Sequence, residues 1–166
     1  MRVITRNMKR ATAKNNAWDI VRNLNPDVAL LQEVSSIPQD ILDGFDTRFA
    51  YAMGGKDHSL LKFGTALLVK GKILKKFKLV SEYDWINKEI EKYDGNMSCY
   101  TIKPNISCEI NILPVYSPAR PIDTSTISEK EINSIKLNGN NRLWLTEIIW
   151  SGLQNIDIKT TPWIIA

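Results

Sequence analysis

The sequence predicts a single α/β domain that begins with parallel strands. The chain has 166 residues, 43% of them are hydrophobic, and its first 34 residues follow the order strand, helix, strand. This length suits one domain with a hydrophobic core of its own. A strand, a helix and a second strand in this order form a βαβ unit, whose parallel strands lie in a sheet covered by helices.

The βαβ unit is predicted from three consecutive patterns. Residues 2–5 form a short β-prone run, and apolar residues then recur at helical spacing over residues 13–24, with Thr12 as the candidate cap. The helix should stop before Pro26, because proline disfavours α geometry in the residue that precedes it. Residues 28–34 are an apolar run of strand length, which is typical of a strand buried on both faces.

The middle of the chain predicts a short helix and two antiparallel pairs. A helical candidate covers residues 38–42, and strands over residues 63–69 and 73–80 should pair through a turn at Gly71. A second hairpin is predicted from residues 97–102 and 106–113. The polar segment between the pairs, residues 82–96, is ambiguous and carries no role.

The hairpin over residues 97–113 holds both cysteines of the chain. A turn at Pro104 and Asn105 would place Cys108 opposite Thr101, and Cys99 opposite Ile110. The cysteines would then be diagonal neighbours about 7–8 Å apart, too far for an unstrained disulfide. Because the N-terminus also lacks the apolar region of a secretory signal, we expect a cytoplasmic protein.

The last third predicts two helices and the start of a strand. Ser128 and Glu131 have the spacing of a capping box for a helix that ends near residues 138–140. A second helix covers about residues 142–153, and an apolar run begins at Trp163. A strand that starts where the sequence stops suggests that residues 1–166 are one domain, incomplete at its C-terminus.

Several classes of protein are disfavoured by what the sequence lacks. It has no glycine-rich phosphate loop, and no stretch approaches the roughly 18–20 apolar residues of a membrane span. Its single histidine, His58, lies in a polar loop where we expect a surface residue, and Ser117 is not in a nucleophile elbow. The net charge of +4 tilts the expected partners only slightly towards polyanions.

Two polar side chains follow the first two predicted strands, namely Asn7 and Glu33. Ligand groups collect at the carboxyl ends of parallel strands, so these residues should be neighbours. A carboxylate in that place is a suitable ligand for Mg²⁺, which leaves positions for water and phosphate oxygens. The alternative is that Glu33 only solvates a strand end and that Asn7 makes a turn.

The segments 2–8 and 24–34 closely resemble the opening of the endonuclease/exonuclease/phosphatase superfamily, the DNase I-like proteins. In that family the first strand ends in Asn, and the second carries a Pro-Asp-hydrophobic-Leu-Gln-Glu motif. Residues 63–69 resemble the glycine-containing strand that follows, and residues 112–118 resemble the strand that ends in Tyr or His. The resemblance implies a sandwich of two β-sheets flanked by helices, incomplete at the C-terminus.

The resemblance also implies roles for individual residues. Glu33 would hold Mg²⁺ or Mn²⁺, Asn7 would orient the metal's water or a phosphate oxygen, and Tyr116 would bind or orient the phosphate. Arg120 could add a charge-assisted contact. The alternatives are a tyrosine at the edge of the core and a solvated arginine. In the family, the run at residues 162–166 leads into a Gly-Asp-x-Asn motif, and a Ser-Asp-His segment follows; neither is in the sequence.

The resemblance therefore implies a divalent-metal-dependent phosphoester hydrolase. The mildly basic composition favours DNA or RNA as the substrate over lipid headgroups. We expect no meaningful activity from residues 1–166 alone, because general acid–base assistance contributes about 10²–10⁴-fold to rate and the residues that supply it in the family are missing. The rival interpretation is a non-catalytic α/β module that kept the scaffold and binds a partner.

Overall fold

A computed structural model describes residues 1–54, 59–137, 142–156 and 160–166 of the chain. Its strands are β1 (Val3–Ala11), β2 (Val28–Val34), β3 (Asp46–Met53), β4 (Leu60–Val69), β5 (Gly71–Phe77), β6 (Cys99–Pro104), β7 (Ile110–Leu113) and β8 (Trp163–Ile165). Its helices are α1 (Asp19–Leu24), α2 (Gln39–Gly44), α3 (Asp84–Lys92), α4 (Glu129–Ile135) and α5 (Leu145–Leu153).

The strands form two four-stranded sheets. The first sheet has the order β1-β2-β4-β3 and the second has the order β5-β6-β7-β8. Only the pairs β1–β2 and β7–β8 are parallel, and the remaining pairs are antiparallel. Both sheets are therefore mixed, and the predicted parallel pairing of the first two strands is confirmed.

The sheets pack face to face, with helices on the outside. Alternate residues of β2, Val28 and Leu30, pack between the sheets against residues such as Ile112. The intervening Ala29 and Leu31 join a separate cluster on the side of the first sheet that α1 and α2 cover. A third cluster packs helices α3, α4 and α5 against the far side of the second sheet. The apolar run of β2 is thus buried on both faces, as the sequence predicts.

Three local predictions from the sequence are confirmed at their expected positions. β2 covers residues 28–34, and β8 begins at Trp163. The capping box before α4 is formed: the Ser128 hydroxyl accepts from the Glu131 backbone N–H, and the Glu131 carboxylate accepts from the Ser128 N–H. That helix ends at Ile135, earlier than the predicted end near residues 138–140. No helix in the described part of the chain is long and apolar enough to cross a bilayer.

The predicted hairpin of residues 63–69 with 73–80 is wrong. β4 lies between β2 and β3 in the first sheet, while β5 begins the second sheet at Gly71. Both edges of β4 are already paired, so the next strand must leave the sheet. It does so at Gly71, whose φ of +149° favours glycine, and where an added Cβ would lie 2.2 Å from the Lys103 carbonyl oxygen. β5 also ends earlier than predicted, at Phe77.

The first helix starts later than the spacing of its apolar residues predicts. Thr12 is not its cap: the Asn15 side chain accepts from the Ala17 N–H at 2.7 Å and starts a 3₁₀ turn, Asn16–Trp18, which leads into α1. The Thr12 carbonyl instead accepts a hydrogen bond from the buried Trp18 indole at 3.0 Å. The 3₁₀ turn therefore buries Trp18 against the first sheet, and regular α-helical geometry begins at Asp19.

The hairpin with the cysteines has a different register from the predicted one. Thr101 lies opposite Asn111 rather than Cys108, because β7 starts only at Ile110 and the turn is longer. Cys99 is buried in β6 and Cys108 is exposed, and both thiols are free. Burial raises the pKa of the Cys99 thiol to about 12.

Candidate active site

The ends of β1 and β2 leave regular sheet geometry at the point where the sequence places its polar residues. The strands pair in register up to Asn7 opposite Gln32, and pairing resumes at Ala11 opposite Val34. β1 advances four residues over this interval and β2 only two, so β1 carries two extra residues. Lys9, Arg10 and Glu33 adopt left-handed backbone, with φ of 53°, 60° and 52°. Such values are uncommon for residues other than glycine, and they redirect the side chains at this edge.

Asn7 and Glu33 lie on these adjacent strand ends. Asn7 is exposed, and its side-chain oxygen accepts the Lys9 backbone N–H at 2.8 Å, which stabilises the start of the bulge. Glu33 is half-buried one residue beyond Gln32, the partner of Asn7. The two residues are near neighbours across the β1–β2 pair, and no hydrogen bond joins their side chains among the described residues.

Tyr116 meets Glu33 from the second sheet. It follows β7, and its pKa is raised, first by burial and then by the negative charge of Glu33, against the opposing charge of Arg10. The phenol is therefore protonated at neutral pH and can donate a hydrogen bond. The structure brings together Glu33 and Tyr116, which lie 83 positions apart in the sequence.

A cavity of about 770 Å³ opens beside this pair. Its lining residues come from the ends of β1, β3 and β4 and from the segment after β7; they include Arg10, Met53, Leu61, Phe63, Tyr116, Pro118 and Arg120. Arg120 is exposed at this cavity, so the structure places it with Tyr116. The described lining contains two arginines and no carboxylate, which makes the cavity attractive to anions.

Phe63 orders the aromatic and cationic side chains of this cavity. The Arg10 guanidinium carbon lies 4.9 Å from the centre of the Phe63 ring, within cation–π range. The Tyr116 ring contacts the same phenylalanine edge-to-face, with centres 5.7 Å apart and an angle of 87°. Phe63 is nearly fully buried, so its ring is a fixed surface on which the Arg10 and Tyr116 side chains pack.

Asn96 holds the Tyr116 segment against the first sheet. It is fully buried, and its side-chain oxygen accepts the Met53 N–H at 2.6 Å. Its amide donates to the Tyr116 carbonyl at 3.1 Å, and its own carbonyl accepts the Tyr116 N–H at 2.7 Å. One side chain thus ties the end of β3 to the backbone of Tyr116. Asn96 is a positioning residue for the site.

The sequence analysis missed three of these residues. Arg10 lies in a bulge that the sequence pattern does not show, and Phe63 has the spacing of an ordinary core residue in a strand. Asn96 is the last residue of segment 82–96, for which no role was predicted; the run Asp94-Gly95-Asn96 before a strand is a local signal of a turn. His58 lies outside the described residues.

The chemistry of the site fits a hard divalent cation with few protein ligands. Mg²⁺ is commonly bound by one or two carboxylates and completes its octahedron with water and phosphate oxygens. Glu33 supplies one carboxylate, and the Asn7 oxygen keeps a second lone pair beside the hydrogen bond from Lys9. The described residues contain no group of three or more His, Cys, Asp or Glu side chains placed to hold a metal.

Comparison with known proteins gives a structural likeness only. No family model matches the chain, and no curated protein matches its sequence. An endonuclease/exonuclease/phosphatase structure from Beutenbergia cavernae superposes with a TM-score of 0.54 at 17% identity, over all of this chain and 46% of that one. The human Nocturnin catalytic domain, solved with a bound sulfate anion, gives 0.44 at 15% identity, over 68% of this chain and 48% of that one.

The chain thus spans about half the length of the solved structures it matches. At 17% identity, the likeness to the Beutenbergia cavernae structure bears on the fold. It agrees with the two mixed sheets, packed face to face with helices outside, that the sequence predicts. The chain has a DNase I-like fold over about half the length of that structure.

Proposed function

We propose that this chain carries the metal- and phosphate-binding part of a phosphoester hydrolase that acts on DNA or RNA. The observation that carries the proposal is the meeting of Glu33 and Tyr116, from different sheets, beside a cavity with two arginines. A carboxylate for a cation and positive groups for an anion lie together at one edge, which is the arrangement that a phosphate ester with its counter-cation requires.

Each residue has a chemical role in this proposal. Glu33 holds Mg²⁺ or Mn²⁺, and Asn7 orients a water or a phosphate oxygen. The bound cation would polarise the phosphoryl oxygen and stabilise charge on the leaving group. Tyr116 donates its phenolic hydrogen to a phosphate oxygen, and Arg120 adds a charge-assisted hydrogen bond.

We also propose that residues 1–166 alone hydrolyse phosphoesters no faster than the free metal ion. The raised pKa of Tyr116 makes it a donor and not a base near neutral pH. Glu33 is used as a metal ligand in this proposal. The described site therefore offers no group to take a proton from the attacking water, a step that contributes about 10²–10⁴-fold.

The test is a titration with Mg²⁺ and Mn²⁺ that follows the thermal midpoint of the wild-type chain and of Glu33→Gln. Binding to the native state alone stabilises by about 2.7 kcal/mol at a metal concentration 100 times Kd, so the wild-type midpoint should rise and that of Glu33→Gln should not. Glu109→Gln is the matched control, since Glu109 is exposed between β6 and β7. The Mn²⁺ electron paramagnetic resonance signal reports binding independently of activity.

Two outcomes would contradict the proposal. An equal metal response in wild type and Glu33→Gln would remove Glu33 from the site. The absence of any response, with retained binding of a fluorescent oligonucleotide, would favour the non-catalytic binding module instead. Cleavage of that oligonucleotide above a metal-only blank would refute the proposed inactivity of residues 1–166.

A further inference from the structure

Arg10 is held in an unusual position at the rim of the cavity. Its own φ of 60° and that of Lys9 belong to the bulge of β1, and the Phe63 ring centre lies 4.9 Å from the guanidinium carbon. Cation–π contact fixes the plane of an otherwise flexible side chain. Arg10 is exposed and lines the cavity, so its guanidinium is accessible to a ligand on the side away from Phe63.

The Arg10 guanidinium has no protein acceptor within the described part of the chain. Within that part of the chain, its guanidinium contacts the Phe63 ring. Structural arginines are usually paired with carboxylates or carbonyls, whereas an ordered and unpaired guanidinium offers its five N–H donors to an anion. Arg120 adds a second positive group on the same cavity.

The cavity is larger and less polar than a simple anion site requires. Its volume of about 770 Å³ lies in the range of sites that bind small organic molecules. Met53, Leu61 and Pro118 add apolar surface to the same lining. A ligand that uses the whole cavity therefore joins a phosphate to a flat apolar group, and a planar guanidinium stacks well on such a group.

We infer that Arg10, supported by Phe63, forms a nucleotide subsite that binds one phosphate and stacks on its base. This inference rests on the proposed function, because it takes the phosphate in the cavity to be part of the ester that Glu33 and its cation would act on. It adds a residue and a chemical requirement to that proposal. The ligand must carry an aromatic base, and a sugar phosphate alone does not satisfy the subsite.

The test is calorimetric binding of AMP to the 166-residue chain in EDTA, so that the metal plays no part. Ribose 5-phosphate and adenosine serve as probes that lack one half of the ligand. We expect AMP to bind at least about tenfold more tightly than either, a factor that corresponds to roughly 1.4 kcal/mol. Arg10→Gln should weaken AMP binding about tenfold. Arg10→Lys should restore little of it, because lysine keeps the charge but loses the plane and the fork.

Arg6→Gln is the matched control, since it removes the same charge from an exposed position of the same strand outside the cavity. Equal affinity for AMP and ribose 5-phosphate would overturn the base subsite. Equal effects of Arg10→Gln and Arg6→Gln, or no AMP binding by the wild-type chain at millimolar concentration, would overturn the role of Arg10. Failure of the proposed function is distinguishable, because metal-linked stabilisation would then be absent while AMP binding in EDTA persisted.

Discussion

The two sheets have the same number of strands, but they differ in which residues adopt left-handed backbone. In the first sheet, β2 and β4 are buried and regular at one end, yet β1 and β2 end in three left-handed residues that are not glycine, Lys9, Arg10 and Glu33. In the described part of the second sheet, the sole positive φ belongs to Gly71. Residues with unfavourable backbone dihedral angles are thus concentrated at the candidate site. The second sheet contributes Tyr116 from the segment that follows β7.

Gly64→Ala should break the first sheet and has the largest expected effect. An added Cβ would lie 1.8 Å from the Ala50 carbonyl oxygen of β3, and neither backbone can move without separating two paired strands. We expect a loss of stability at or beyond the upper end of the roughly 1–3 kcal/mol typical of overpacking. Urea unfolding measures it.

Gly44→Ala is the control for this overpacking, because nothing lies within 4 Å of its added Cβ. Its expected change is within about 0.5 kcal/mol. If Gly64→Ala were as stable as Gly44→Ala, the close pairing of β3 with β4 would be incorrect.

Asn96→Ala should loosen the joint between the two sheets. The substitution leaves the part-buried Met53 N–H without its acceptor and removes a donor from the Tyr116 carbonyl. Buried polar groups without partners cost about 1–3 kcal/mol each, so we expect a loss of about 2–3 kcal/mol in urea unfolding. Asn105→Ala, at an exposed turn, should change stability by less than about 0.5 kcal/mol. Similar losses in both variants would contradict a joint at Asn96.

Replacing a lysine by glycine should change stability in opposite directions in the two sheets. This is the smallest of the expected effects. Lys9 has a left-handed φ of 53°, so Lys9→Gly relieves backbone strain and should stabilise by up to about 1 kcal/mol. Lys72 lies exposed in β5, paired with Lys103 and with ordinary extended backbone, where glycine should cost about 0.5–1 kcal/mol. Chemical denaturation of both variants compares the signs. A loss of stability in both would mean that the bulge of β1 is not strained.

Secondary structure was predictable where it depends only on residues within the same helix or strand. β2 is apolar on both faces and appears over the predicted residues, and the capping box at Ser128 needs only a residue three positions away. The half-exposed strand β3 was not predicted, and the partners of β4 were wrong. Strand pairing depends on which distant edge is free, and the pattern within one strand carries little information on that choice.

The same division holds for the candidate site. Glu33 and Asn7 stand at strand ends that the sequence shows, and the resemblance of their motifs to a known family added Tyr116 and Arg120. Arg10, Phe63 and Asn96 emerged only from the fold, because their roles depend on contacts between β1, β4 and the segments on either side of β6 and β7. The bound metal, the substrate and a cytoplasmic location stay predictions.

The sequence by itself determined the α/β class, the first parallel pair of strands, the β2 boundaries and the capped helix α4, because these depend on side chains a few positions apart. Only the tertiary structure decided that β4 and β5 belong to different sheets and that Glu33 meets Tyr116. The physical reason is that the hydrophobic effect favours burial of a whole face of a sheet, which involves strands that are distant in the sequence. Each sheet must cover the other, and the strand ends that become neighbours are set by that packing and not by local pattern.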